Sequence, residues 1–222
     1  MLYLFNQNSG SSSLQLEGDE HRYIFKVRRH KVEDTLFLRN LKDETIYEYL
    51  IINMDKKSTL LQLQNSQKLI IGAKKSLHIG WCVIEPKNIE KVLPTLNEIG
   101  VDKITFIYCS RSQKSFKLDF NRLHKILLNS SQQSGRSTMM LLEEAKDLQT
   151  FLTQNPSSKL LNFSKNNFVL NHEIKTIVIG CEGGLTDEEV SLFNAQNIVG
   201  FETSLVLKSE SAVCAIASMV LL

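Results

Sequence analysis

The pattern of apolar and polar positions changes character near residue 70. Before it, short apolar runs alternate with polar breaks. Residues 2–5, 35–38, 44–53 and 58–64 read as strands, separated by the turn-like stretches 40–43 and 53–56. Residues 20–28 predict a short helix, and 9–13 a polar loop. A compact β-barrel of about six strands is the natural way to bury such runs.

From residue 69 the period lengthens. Residues 77–84 predict a buried strand. In 88–99, Ile89, Val92, Leu93, Leu96 and Ile99 share one helical stripe that stops at Gly100. A strand at 103–108 and a helix at 119–134 follow. Strands are then expected at 160–163, 176–179 and 197–201, with helices at 187–194 and 209–222. Strands alternating with helices predict an α/β domain with a mainly parallel sheet, whose ligands bind beyond the strand C-termini. The expected division is therefore a barrel over residues 1–70 and an α/β domain over 71–222.

Composition permits a real core: 42% of the 222 residues are apolar and 23% charged. The net charge is only +2, but it is segregated. Residues 21–31 hold five Lys or Arg, two His and no acid. Residues 103–125 hold six basic residues and one acid, whereas 173–210 hold seven acids and two bases. Basic zones beside an acidic C-terminal part suggest a polyanion surface separate from a ligand site; ordinary solvated charge is the alternative. Cys82, Cys109, Cys181 and Cys214 lack metal-ligand spacing and mostly sit in apolar context, which suits thiols in a reducing compartment. With no run of about 18 apolar residues, the expectation is a cytoplasmic protein without a membrane partner.

The most informative segment reads TIVIG-CEGG-LTDEE from Thr176. A β-branched run enters a glycine turn at Gly180, Gly183 and Gly184. A helix start follows at once, with Thr186 and Glu189 at capping-box spacing. Strand, bare turn and capped helix predict a small-ligand cradle. Glu182 within it disfavours phosphate and suits hydroxyl, amine or cationic ligands. The dinucleotide GxGxxG, the P-loop, the GxSxG elbow and HExxH are all absent, and His21, His30, His78, His124 and His172 form no metal pattern. Ser209–Ala212 opens the last helix as cap or ligand contact. Gly135 and Arg136 close the second helix of the α/β part. Arg111 is either solvated or phosphate-facing.

Several of these segments, in this order, resemble one family: the SPOUT-class ribosomal RNA uridine N3-methyltransferases of bacteria. The family's GPEGG turn corresponds to Gly180-Cys181-Glu182-Gly183-Gly184-Leu185-Thr186. Its ILR-x-E-T-A run corresponds to Val206-Leu207-Lys208-Ser209-Glu210-Ser211-Ala212. Its ELGV helix end and Ser-Arg-Ser turn correspond to Asn97–Val101 and Ser110-Arg111-Ser112, and its EQSGR run to Gln132–Arg136. His21 and Val27-Arg28-Arg29 match an N-terminal His and VLR segment. The departures are Cys181 for Pro, Lys208 for Arg, Leu205 for a preceding Arg, and a slightly longer stretch after Gly200.

The resemblance implies a PUA-like RNA-binding barrel ahead of a SPOUT methyltransferase domain with a deep trefoil knot and parallel sheet, acting as a homodimer on 16S ribosomal RNA within the small ribosomal subunit. It implies S-adenosyl-L-methionine as cofactor and no metal. The positions expected to hold the cofactor are Leu161, Asn162, Ile179, Gly180, Glu182, Gly183, Gly184, Gly200, Leu205, Val206, Leu207 and Ser209. Arg136 and Lys208 are the expected catalytic cations. His21, Lys26, Arg28, Arg29, Arg111 and Lys114 are the expected RNA contacts. Methylation of another atom, such as a ribose 2′-hydroxyl, and a non-catalytic RNA-binding module stay open as alternatives.

Overall fold

A computed structural model describes residues 2–166 and 174–222; His172 and Glu173 therefore lie outside the described residues. The chain forms two compact units. The first comprises Met1–Gly72 and Leu128–Met139, the second Ala73–Leu127 and Met140–Leu222.

The first unit is built on a curled five-stranded sheet. Its strands are β1 (Leu4–Phe5), β2 (Ser13–Glu17), β3 (Thr35–Arg39), β4 (Thr45–Met54) and β5 (Ser58–Lys68), in the order β1-β3-β4-β5-β2. All pairs are antiparallel except β1 with β3. Five strands stand where about six were expected. The polar reading of 9–13 stops where β2 begins, and its SLQLE sequence has just two inward residues, Leu14 and Leu16. These pack with Leu38, Tyr49, Ile51 and Leu61 in one core. The helical segment is α1 (Gly18–Arg22), continued by a π-helical stretch at Tyr23–Arg28 that ends on Arg29 at φ 59°. Lys26, Arg28 and Arg29 are exposed there.

The second unit carries a fully parallel six-stranded sheet. Its strands are β6 (His78–Cys82), β7 (Lys103–Ile107), β8 (Leu141–Ala145), β9 (Lys159–Leu161), β10 (Thr176–Ile179) and β11 (Ile198–Val199), in the order β11-β9-β10-β6-β7-β8. The helices are α2 (Pro86–Ile99), α3 (Phe120–Ser134), α4 (Leu148–Gln154), α5 (Asp187–Val190) and α6 (Ser209–Leu221). α3 starts in the second unit and ends in the first. Central β6 and β10 are almost wholly buried, as strands covered on both faces require.

Two elements of this second unit were not anticipated. β8 is an edge strand, LLEEA, whose paired glutamates hide its strand character; α4 is a short helix capped by Asp147, which accepts from the Thr150 amide at 2.7 Å. The helix expected over 187–194 is a single turn, α5. Among the described residues no helix is long and apolar enough to cross a membrane, and no metal-holding cluster is present.

Candidate active site

Three loops leave the C-terminal ends of β9, β10 and β11 and enclose a cavity of about 650 Å³ in the second unit. They are 162–164, 180–185 and 200–208, and the start of α6 completes the wall. The loops approach at backbone level. A Cβ on Gly200 would sit 2.7 Å from the Ser164 carbonyl oxygen and 3.0 Å from that of Asn162. Only glycine allows that contact.

The β10 turn has little side chain of its own, yet it is firmly tied. Gly184 takes φ +70°, a left-handed value, and its amide donates to the Cys181 carbonyl at 2.9 Å. The Cys181 thiol reaches the Gly184 carbonyl at 3.4 Å. Ser209 Oγ donates to the Gly180 carbonyl at 2.6 Å and accepts from Trp81 Nε1 at 2.9 Å. One buried hydroxyl thus links β6, the turn and α6. The expected capping box forms: Thr186 Oγ1 accepts from the Glu189 amide, and Glu189 accepts from the Thr186 amide at 3.0 Å. Glu189 does more, because its other oxygen accepts from the Ser110 amide at 2.7 Å.

Cys181 of the turn is one of three buried thiols, with Cys82 and Cys109. Cys109 Sγ is 3.7 Å from Cys181 Sγ and 3.1 Å from Ser112 Oγ. Ser112 sends its proton to the Val83 carbonyl, so Cys109 is the donor in that pair. Hydrogen bonding to Cys109, aided by burial, pushes both the Cys82 and the Cys181 thiols up. Held protonated, Cys82 and Cys181 pack rather than attack, whereas the hydrogen bonds from Cys181 and then Cys82 pull the Cys109 thiol down.

A cavity of this size beyond parallel strand ends, walled by loop backbone and apolar side chains with Glu182, Arg111 and Lys208 as its charges, fits an organic cofactor. A family model described as "RNA methyltransferase domain" matches residues 72–221. The chain is also 36% identical to the ribosomal RNA small subunit methyltransferase E of Helicobacter pylori over 99% of both chains. The chain belongs to the ribosomal RNA small subunit methyltransferase E family. It is accordingly a methyltransferase. A 25% identical relative of the same name occurs in Rickettsia conorii, matched over 100% of this chain and 95% of that one.

Solved structures share the fold. A methyltransferase from Legionella pneumophila in complex with bound SAM superposes with a TM-score of 0.81 at 19% identity, covering 98% of this chain and 95% of that one. A ribosomal RNA small subunit methyltransferase E from Neisseria gonorrhoeae bound to S-adenosyl methionine gives 0.81 at 14% identity, with the same coverage.

Around its cavity, this chain gathers all twelve positions expected to hold the cofactor, together with Lys208 and Arg111. Glu182 and Lys208 are exposed; Lys208 is the N-cap of α6. Leu205 and Val206 are 73% and 75% exposed, and Phe163 beside them 82%. Two expected residues stand elsewhere. Arg136 is not among the cavity's lining residues: it is buried in the first unit, where its carbonyl accepts from Tyr3 Oη at 2.8 Å. His21, an expected RNA contact, is buried, with Nδ1 2.8 Å from Thr59 Oγ1 and its ring stacked on Phe25. Both are placed by packing partners distant in sequence. Lys114 is exposed in the second unit. Sequence reasoning missed the tie from Glu189 to Ser110; its only signal was a capping-box glutamate in a segment whose amide partner lies 79 residues away.

Proposed function

We propose that this protein uses S-adenosylmethionine to methylate N3 of a uridine in 16S ribosomal RNA of the small ribosomal subunit. The observation that carries the reading is the convergence of the three post-strand loops on one backbone-walled cavity. Bound there, the cofactor supplies a methyl group on a sulfonium. The exposed Glu182 carboxylate suits ribose hydroxyls or the positive sulfur, and the turn backbone at Glu182 suits a purine edge. Lys208, exposed and in the lining, is the cation that offsets negative charge on the deprotonated imide of the acceptor base. The base must reach the cavity unstacked, which favours a flipped or single-stranded nucleotide.

The first unit is the RNA-binding, PUA-like part of this proposal. Its exposed Lys26, Arg28 and Arg29 suit phosphates, and Arg28 lies 6.0 Å from the centre of the Tyr23 ring. The second unit is the SPOUT part, with the loops from β9, β10 and β11 forming a trefoil knot. The exposed Phe163, Leu205 and Val206 at the cavity rim support a homodimer, since a second copy would cover them. The cellular setting is the cytoplasm, where ribosomal subunits are assembled.

Nucleoside mass analysis of small-subunit ribosomal RNA from cells with and without the gene tests the proposal. Loss of N3-methyluridine, restored by the purified protein and S-adenosylmethionine, is the expected result. Loss of a 2′-O-methylated nucleoside instead, or no loss at all, overturns it.

A further inference from the structure

Arg111 follows β7 in a basic zone, and on charge alone it would be a phosphate contact. Its hydrogen-bond acceptors lie on the β10 turn instead. We infer that Arg111 is the positioning residue of that turn and sets cofactor affinity rather than RNA affinity. This rests on the cofactor reading above.

The turn needs an outside hold. From Gly180 to Leu185 five of the six carbonyls accept a hydrogen bond, from Ser209, Gly184, Arg111, Cys181 and Arg111 again. The two bonds from Gly184 and Cys181 lie within the turn and cannot anchor it to the sheet. Ser209 anchors its first residue. Its middle and end are anchored by Arg111, whose Nη1 donates to the Gly183 carbonyl at 2.8 Å and to the Leu185 carbonyl at 3.1 Å. The aliphatic stem of Arg111 also lies across Gly183: a Cβ there would be 3.5 Å from Arg111 Cβ and 3.6 Å from Cδ.

The loop carrying Arg111 is itself anchored. Glu189 receives the Ser110 amide, and Ser112 bonds both Val83 and Cys109. Arg111 therefore projects from a braced support onto a bare glycine segment. A charged donor to two carbonyls supplies the rigidity that Gly183 and Gly184 cannot supply themselves. A glycine turn released from this hold would have to be ordered at each binding event, and that cost falls on cofactor affinity.

The test compares wild type, Arg111→Met and Arg111→Lys. Met keeps the stem over Gly183 and removes the donors; Lys restores a charged donor that can reach carbonyls. Calorimetry gives the Kd for S-adenosylmethionine, and steady-state kinetics on small-subunit particles separate KM for the cofactor, KM for RNA and kcat. Arg111→Met is expected to raise the cofactor Kd and KM about tenfold, the size of a lost charged hydrogen-bond pair, with the RNA KM unchanged and an unaltered melting temperature. Arg111→Lys is expected to recover most of that loss. A raised RNA KM with an unchanged cofactor Kd would return Arg111 to the RNA surface and overturn the inference, as would no change in either or a Lys variant as weak as Met. Wild type failing to bind S-adenosylmethionine would instead sink the proposed function.

Discussion

Replacing Gly200 with alanine tests the cavity architecture most directly. The added Cβ would meet Ser164 O at 2.7 Å, Ser164 N at 2.9 Å and Asn162 O at 3.0 Å. Comfortable non-bonded separations are about 3.5 Å, so the two loops must part by roughly 0.5–0.8 Å. Backbone atoms supply all three contacts, and no side chain can swing aside. Overpacking of this kind costs about 1–3 kcal/mol. If the strain is relieved by spreading the loops, it appears in binding as a cofactor Kd weakened by about 5- to 150-fold. If it is retained, it appears as a melting temperature lowered by about 2–4 °C per kcal/mol. Isothermal calorimetry with S-adenosylmethionine and a thermal melt read both. Gly72→Ala is the matched control, because a Cβ there meets nothing within 4 Å. A Gly200→Ala protein with wild-type Kd and wild-type melting temperature would refute the close approach of the β9 and β11 loops.

Three other outcomes follow from single side chains. Ser209→Ala leaves the buried Trp81 N–H and the Gly180 carbonyl without their shared hydroxyl, and should cost about 1–3 kcal/mol in denaturant unfolding. Lys208→Ala should lower kcat with little change in cofactor Kd in calorimetry and single-turnover kinetics, since its proposed role is toward charge that develops on the base. His78 is held down to about 4 by burial and then by Lys103, so the folded protein binds fewer protons there than the unfolded chain. Stability should therefore fall as pH drops from about 6.5 toward 4, and His78→Gln should flatten that part of a stability–pH curve measured by urea titration.

The legible parts of this fold are those encoded by neighbours in sequence. The β10–turn–α5 unit follows from a β-branched run, three glycines and a Thr-x-x-Glu box, all within residues 176–189. The stripe on α2 is equally local. β8 escaped because an edge strand needs only one inward residue at its end, Ala145, and can carry Glu143 and Glu144 outward. The destinations of Arg136, His21 and Arg111 could not be read locally. Each is held by a partner far along the chain: Tyr3 bonds the Arg136 carbonyl, Thr59 meets the His21 ring, and the Gly183 and Leu185 carbonyls take the Arg111 guanidinium. A basic residue in a basic zone looks like a phosphate ligand until its acceptors are known. The residues lining the cavity were legible for a different reason. Four are glycines, at 180, 183, 184 and 200, and the others lie in or next to the same loops, where the motif itself is the wall.

Trp81 is the sole tryptophan of the chain, wholly buried at the centre of the sheet, with its indole bonded to the hydroxyl that grips Gly180. The protein thus carries one intrinsic fluorophore wired to the wall of its own cavity. A ligand that shifts the turn or the start of α6 changes the hydrogen bond on that indole, and the emission of a single residue reports it. Occupancy can be followed in real time, unlabelled, with no second tryptophan to blur the signal.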